Sequence, residues 1–159
     1  MGFVKNKYIG RTFIAPGQKH RESLVDIKLN VIASVVEGRR VVLIDDSVVR
    51  GTTSKRIVKK LRRAGAKEVH LRLASPTFVA PCYYGTDIPD TSTLIAANNT
   101  LEDVREYIGC DSIGFYRTED LDKMLGGQTC FCKACFTADY PAGVPSMTGK
   151  YRFETKRKG

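Results

Sequence analysis

Two adjacent carboxylates, Asp45 and Asp46, follow the apolar run Val41-Val42-Leu43-Ile44 and precede Ser47-Val48-Val49-Arg50-Gly51-Thr52-Thr53-Ser54. Four apolar, mostly β-branched residues predict a strand buried on both faces. The small-residue turn after it predicts the opening of an amphipathic helix. In an open α/β sheet, ligands sit at the carboxyl ends of the strands. A glycine turn at a helix N-terminus offers free N–H groups and positive dipole to a phosphate, and the Thr and Ser hydroxyls add donors. The carboxylates can hold ribose hydroxyls or a Mg²⁺ ion, so the segment as a whole suits a sugar phosphate. Asp and Thr as caps in a strand–turn–helix are ordinary α/β architecture, and the paired acids alone would not exceed that reading. The full combination does, because adjacent carboxylates repel and burying either one unpaired is costly.

A second set of reactive residues is the cysteines: Cys82, Cys110, Cys130, Cys132 and Cys135. An odd number argues against a disulfide framework. Cys132-x-x-Cys135 has the spacing at which two thiolates can share one metal centre. With no histidine nearby, Cys82 is the natural third donor. A zinc site, an iron–sulfur site and a redox dithiol all remain open on spacing alone.

These groups need elements to position them. Phe3 to Arg11 is turn-rich, and Gly10 to Gln18 reads as an extended piece ending in a Pro-Gly turn. A helical pattern runs from about His20 to Val36, with Leu24, Ile27, Val31 and Val35 on one face and Gly38 as its stop. Lys55 to Ala64 is helical, with Ile57, Val58, Leu61 and Ala64 inward and Gly65 at its end. Val69 to Ala74 is a strand that completes a βαβ unit, with His70 in a structural role. Ser75 to Pro89 is broken by prolines and glycine into a loop. Leu94 to Ala97 is a short apolar segment. Thr100 and Asp103 form a capping box for a helix to about Ile108. A strand at Ser112 to Tyr116 follows, and Thr118 caps a short helix ending near Leu125.

The chain has 159 residues, enough for one domain with a real core, and a net charge of +9. That balance attracts anions, but the cations lie mainly on predicted helix faces and in the tail, so nucleic-acid binding is only weakly supported. No apolar run approaches the roughly 18 residues of a membrane span, and residues 1–7 lack the apolar centre of a signal peptide. A cytoplasmic protein is expected.

The Asp45–Ser54 segment resembles the phosphoribosyl-pyrophosphate (PRPP) motif of the phosphoribosyltransferases. Its Asp-Asp-Ser and Arg-Gly-Thr-Thr version is that of the amidophosphoribosyltransferases. Tyr8-Ile9-Gly10-Arg11-Thr12-Phe13-Ile14, Lys28-Leu29-Asn30, Pro81-Cys82-Tyr83-Tyr84-Gly85 and Ala134-Cys135-Phe136-Thr137 extend the likeness to the iron–sulfur members of that family. The resemblance implies an α/β fold with an open, mainly parallel sheet of type I phosphoribosyltransferase kind and flanking helices, incomplete at the N-terminus. It implies a partial synthase domain with a cluster-binding segment over 1–141, the C-terminal part of that domain, and a basic tail over 142–159.

By the same resemblance, Asp45 and Asp46 hold Mg²⁺ and the ribose hydroxyls. Ser47, Arg50, Gly51, Thr52, Thr53 and Ser54 cradle the 5′-phosphate. Lys28, with Arg11, binds pyrophosphate within a loop and helix that close over PRPP. Cys82, Cys132 and Cys135 match three of four ligands of a 4Fe–4S cluster, the fourth lying outside this chain, while Cys110 is a core residue. The implied reaction converts PRPP, glutamine and water to 5-phosphoribosylamine, glutamate and pyrophosphate, the first step of purine synthesis. It needs no general acid or base from this chain. PRPP and purine nucleotides are the implied ligands, with a glutaminase part and further copies in a homo-oligomer as partners. Without the glutaminase part, the chain alone is expected to be inactive. The alternative is a non-catalytic PRPP-sensing regulator that binds nucleic acid.

Overall fold

The computed structural model describes residues 2–5, 29–88, 90–128 and 130–145. Its centre is a three-stranded parallel sheet of β3 (Arg40–Asp45), β4 (Glu68–Leu73) and β5 (Ser112–Gly114), in that order. A separate antiparallel pair joins β1 (Phe3–Lys5) to β2 (Leu29–Val31). The helices are α1 (Ala33–Val36), α2 (Thr52–Arg63), α3 (Ile95–Asn98), α4 (Leu101–Ile108), α5 (Thr118–Met124) and α6 (Ala134–Thr137). A 3₁₀ turn, Thr91–Thr93, leads into α3. Among the described residues no helix is long and apolar enough to cross a membrane.

The β3–α2–β4 unit follows from the pattern in the chain. Val41, Leu43 and Asp45 pair with Val69, Leu71 and Leu73. Ile57, Val58 and Leu61 of α2 and Val104 and Ile108 of α4 close over the strands in one core that includes Leu43, Val69, Leu71, Leu73 and Cys110. Burying these side chains is the main stabilising term, about 1.5–3 kcal/mol for each large aliphatic one. At the far end of α2, Gly65 takes φ +87°, the left-handed stop that glycine adopts without strain. Arg62 reaches Asp111 across 2.6 Å, and Asp111 also accepts the Val69 N–H. The start of β5 is thereby tied to both α2 and β4. The expected capping box is complete: Thr100 accepts from the Asp103 N–H, and Asp103 accepts from the Thr100 N–H.

Several elements differ from the sequence expectation. Of the helix expected over 20–36, residues 29–31 are a strand paired with residues 3–5 and 33–36 are helical, while 20–28 lie outside the described residues. Alternating Leu29, Asn30 and Val31 fits a strand as well as a helix turn, and a partner strand decides between them. Strand β3 is buried on one face only: Val42 is 62% and Ile44 76% exposed. Both α2 and α4 pack on the opposite face. On that second face β4 and β5 carry a polar row, in which His70 bonds Glu68 and Ser112 at 3.0 and 2.9 Å. The histidine thus has the structural role its strand position suggested. Helix α2 begins at Thr52, three residues before the expected start, and Leu94 to Ala97 runs into a short helix. Thr118 is the first residue of α5 rather than its cap. Arg117 takes the cap position and pairs with Asp120.

Leu61 is fully buried at the α2–sheet contact. Leu61→Ala should cost about 2–5 kcal/mol, the usual range for a cavity left by a core leucine, read as a lower urea midpoint with an unchanged slope. Thr100→Ala should cost about 1 kcal/mol through the lost cap in the same assay.

Candidate functional site

Asp45 ends β3, and its carbonyl accepts the Ala74 N–H at 3.0 Å, so the last β3–β4 pairing fixes where the first carboxylate emerges. The chain then turns through a ladder of short bonds. Asp46 N–H donates to Asp45 Oδ1 at 3.0 Å, and Ser47 N–H donates to Asp46 Oδ1 at 2.8 Å. Burial lifts the Asp45 carboxyl above its ordinary value, the Asp46 N–H opposes that, and the neighbouring Asp46 charge adds to it. Among the described residues neither carboxylate is paired with a cation.

The loop behind them is held at two points. Val48 is buried in the main core, while Val49 packs on a satellite cluster of Phe78, Ile88 and Leu94 and accepts the Ile95 N–H at 2.9 Å. Gly51 then opens α2 with φ +74°. A Cβ there would meet Ile95 Cδ1 at 3.0 Å and Tyr107 Cε1 at 3.2 Å, so glycine is required for both conformation and space. Among the described residues no side chain caps α2, and no acidic residue lies in its first turn. Its first N–H groups therefore remain available to an anion at the positive end of the helix. Ser47 and Thr52 are half-buried at this edge, Thr53 is exposed and Ser54 is buried. Arg50 is exposed and lines a cavity of about 260 Å³ with Thr93, Asn98 and Tyr107. Lys55, one turn into α2, lies 4.0 Å over the Tyr107 ring.

The structure brings Asp45, Asp46, Ser47 and Arg50 to Ser54 to one edge of the sheet, at the carboxyl end of β3. Lys28 and Arg11, and the closing loop they were assigned to, lie outside the described residues. Sequence reasoning missed Ile95 and Tyr107 as the wall that fixes the loop. Nothing in their spacing announces it, since both come from helices far along the chain.

The thiols form a separate centre. Cys82 and Cys135 pack on the same satellite cluster, where Phe78 and Phe136 stack at 5.0 Å. Burial pushes the Cys135 thiol up, and the nearby Cys82 charge pushes it further. Burial also raises Cys82, but the N–H groups of Tyr84, Thr86 and Gly85 and the Thr86 hydroxyl outweigh it and bring that thiol below its ordinary value. Cys132 is exposed in the turn before α6, where Lys133 pairs with Asp122 at 2.9 Å. Cys110 is buried in the main core as expected, and Cys130 is exposed. Among the described residues no three acidic, cysteine or histidine side chains converge as a metal-ligand group.

A parallel strand ending in paired carboxylates, followed by a glycine-opened helix, defines an α/β fold of the phosphoribosyltransferase kind. No family model matches the chain. The chain is 53% identical over 141 residues to amidophosphoribosyltransferase 2, chloroplastic, of Arabidopsis thaliana, covering 88% of this chain and 25% of the relative. It is 53% identical over 143 residues to the amidophosphoribosyltransferase of Methanocaldococcus jannaschii, covering 90% and 30%. The solved glutamine PRPP amidotransferase of Bacillus subtilis, complexed with ADP and GMP, superposes with a TM-score of 0.73 at 48% identity, over 89% of this chain and 32% of that one. The chain belongs to the amidophosphoribosyltransferase family, and it spans about a quarter to a third of the length of these relatives.

The raised Asp45 carboxyl has a consequence for stability. A carboxyl whose folded value exceeds its unfolded one favours folding below the unfolded value and loses that contribution as pH rises through the folded value. Asp45→Asn should therefore raise the melting temperature at pH 7. The gain should shrink as pH falls toward the ordinary carboxylate value of 3.8. Thermal melts across that range check it, and equal melting temperatures at pH 7 would contradict the burial of an uncompensated charge.

Proposed function

We propose that this chain is the PRPP-binding portion of an amidophosphoribosyltransferase, an enzyme converting PRPP, glutamine and water to 5-phosphoribosylamine, glutamate and pyrophosphate. The observation that carries the reading is the edge of β3. There two carboxylates without a cationic partner among the described residues adjoin a loop that leads into the uncapped N-terminus of α2, within a chain about half identical to these enzymes.

Each residue's part follows from its place. The 5′-phosphate sits on the N–H groups that open α2, with Ser47, Thr52 and Thr53 as further donors. Gly51 lets the backbone approach it closely. Asp45 and Asp46 accept from the ribose hydroxyls. They also suit Mg²⁺, because two adjacent, uncompensated oxygen donors match a hard cation. When bound, that ion would neutralise charge on pyrophosphate. Lys28 and Arg11 would serve the same leaving group from the preceding loop. In the reaction ammonia attacks C1′ of the ribose, the C1′–O bond to pyrophosphate breaks, and pyrophosphate leaves with the bonding electron pair. The attacking nitrogen then loses a proton. Charge develops on the ring as the leaving group departs, so positioning and electrostatic stabilisation do the work rather than a side-chain acid or base.

The cysteines fit the iron–sulfur members by donor type, since thiolates are soft ligands. Cys82, Cys132 and Cys135 would hold the 4Fe–4S cluster with a fourth ligand from elsewhere, and no step of the reaction runs through it. Purine nucleotides, of the kind bound in the Bacillus subtilis neighbour, are the expected regulatory ligands. A glutaminase part supplies ammonia, and the assembled enzyme is a cytoplasmic homo-oligomer.

Calorimetry with PRPP and Mg²⁺ tests the assignment. Asp45→Asn combined with Asp46→Asn should weaken PRPP binding by about 100-fold or more, since 1.4 kcal/mol corresponds to each tenfold. Unchanged affinity would reject the role of the two carboxylates. Tight, salt-sensitive DNA binding beside retained PRPP affinity would favour the regulator instead.

A further inference from the structure

We propose that Lys55, seated on the ring of Tyr107, is a further specificity-determining residue of the β3 edge: a cation that offsets the two carboxylates for an anionic ligand, an assignment that rests on the PRPP reading of that edge. The electrostatic need is plain. Asp45 and Asp46 stand beside the loop where a phosphate is to bind. The end of α2 answers them with only about half an elementary charge. Backbone donors can hold a phosphate in place, but they do not cancel its repulsion by two acids. A cation fixed near the loop does.

Lys55 meets that need by position. Its N–H donates to the Gly51 carbonyl at 2.9 Å, so it stands one turn beyond the glycine that opens the helix. Helical side chains lean toward the N-terminus, which returns the lysine stem to the Gly51 end. The ammonium lies 4.0 Å from the centre of the Tyr107 ring. The edge of that ring stands against Gly51, where a Cβ would meet its Cε1 at 3.2 Å and its Cδ1 at 3.3 Å. Charge, ring and glycine thus follow one another in space. The ammonium is held within about 10 Å of the loop, the distance over which 0.1 M salt screens exposed charges.

The helix itself does not favour a lysine at this point. A cation near the positive end of a helix opposes the macrodipole. No acid lies in the first turn, and Lys59, four residues on and exposed, adds a like charge. Among the described residues Lys55 forms no ion pair with an acid. The face of Tyr107 holds the ammonium instead, by a cation–π contact. Tyr107 is therefore a positioning residue that acts through Lys55.

Calorimetry on the full chain with ribose 5-phosphate tests this, because that ligand carries the 5′-phosphate and lacks the pyrophosphate. At low salt Lys55→Gln should weaken binding about fivefold, and the loss should shrink in about 0.5 M sodium chloride as the charge is screened. Lys59→Gln removes the same charge one turn farther along and should lose less than half as much. Tyr107→Phe keeps the ring and should bind as the wild type does. Tyr107→Leu frees the ammonium, and adding Lys55→Gln to it should cost little more, as expected of two residues that act as a unit. Unchanged affinity in Lys55→Gln would overturn the proposal, and so would a loss that salt does not reduce. An equal loss in Lys59→Gln would also overturn it, by reducing the effect to net charge. Losses that add in the double variant would break the link to Tyr107. If circular dichroism shows Tyr107→Leu unfolded, the two lysine variants decide the matter alone. A wild-type chain that binds neither ribose 5-phosphate nor PRPP would overturn the PRPP reading and this assignment together, whereas wild-type binding that Lys55→Gln leaves unchanged would overturn only the assignment.

Discussion

The candidate site of this molecule depends on the passage from β3 into α2. Within six residues the chain must leave a strand covered on one face, reverse, and enter a helix. Two constraints meet at Gly51. The backbone takes a left-handed conformation there, and a Cβ would press on Ile95 and Tyr107 at 3.0 and 3.2 Å. Val48 and Val49 anchor the loop to two different apolar clusters. The loop therefore has little freedom to reorganise when an anion arrives, and donors fixed in advance stabilise charge better than donors that must first be ordered.

The same edge carries an electrostatic tension. A chain of net charge +9 leaves Asp45 and Asp46 without a cationic partner among the described residues. Other acids are treated differently. Asp111 is satisfied by a backbone N–H and Arg62, Asp120 by Arg117 and Lys123, and Asp122 by Lys133. A partly buried acid left uncompensated, as Asp45 is, costs stability, an exchange common at functional sites.

The cysteine centre is built on a separate principle. It has no regular secondary structure around Cys82, so tyrosine hydroxyls and paired phenylalanines supply the definition that a strand ladder gives elsewhere. The two regions still touch through one shared cluster, because Val49 of the β3–α2 loop packs on the same apolar residues as Cys82 and Cys135.

Local sequence determined the elements whose signals are short in range. The β3–α2–β4 unit, the Thr100–Asp103 capping box, the glycine stop at Gly65, the irregular stretch after β4 and the buried Cys110 were all legible, because each rests on apolar period, cap chemistry or a left-handed glycine. The motif of Asp45 to Ser54 was legible for the same reason, being contiguous along the chain. Long-range contact decided the rest. Whether Leu29–Val31 became strand or helix hung on a partner strand at residues 3–5. Which face of β3 was covered hung on where α2 and α4 packed, leaving Val42 and Ile44 bare. Ile95 and Tyr107 behind Gly51, and the tyrosines that join the two cysteine segments, involve residues tens of positions apart. Periodicity reports which residues share a face of their own element, but it carries no information about what that face meets, and the tertiary structure alone settles that.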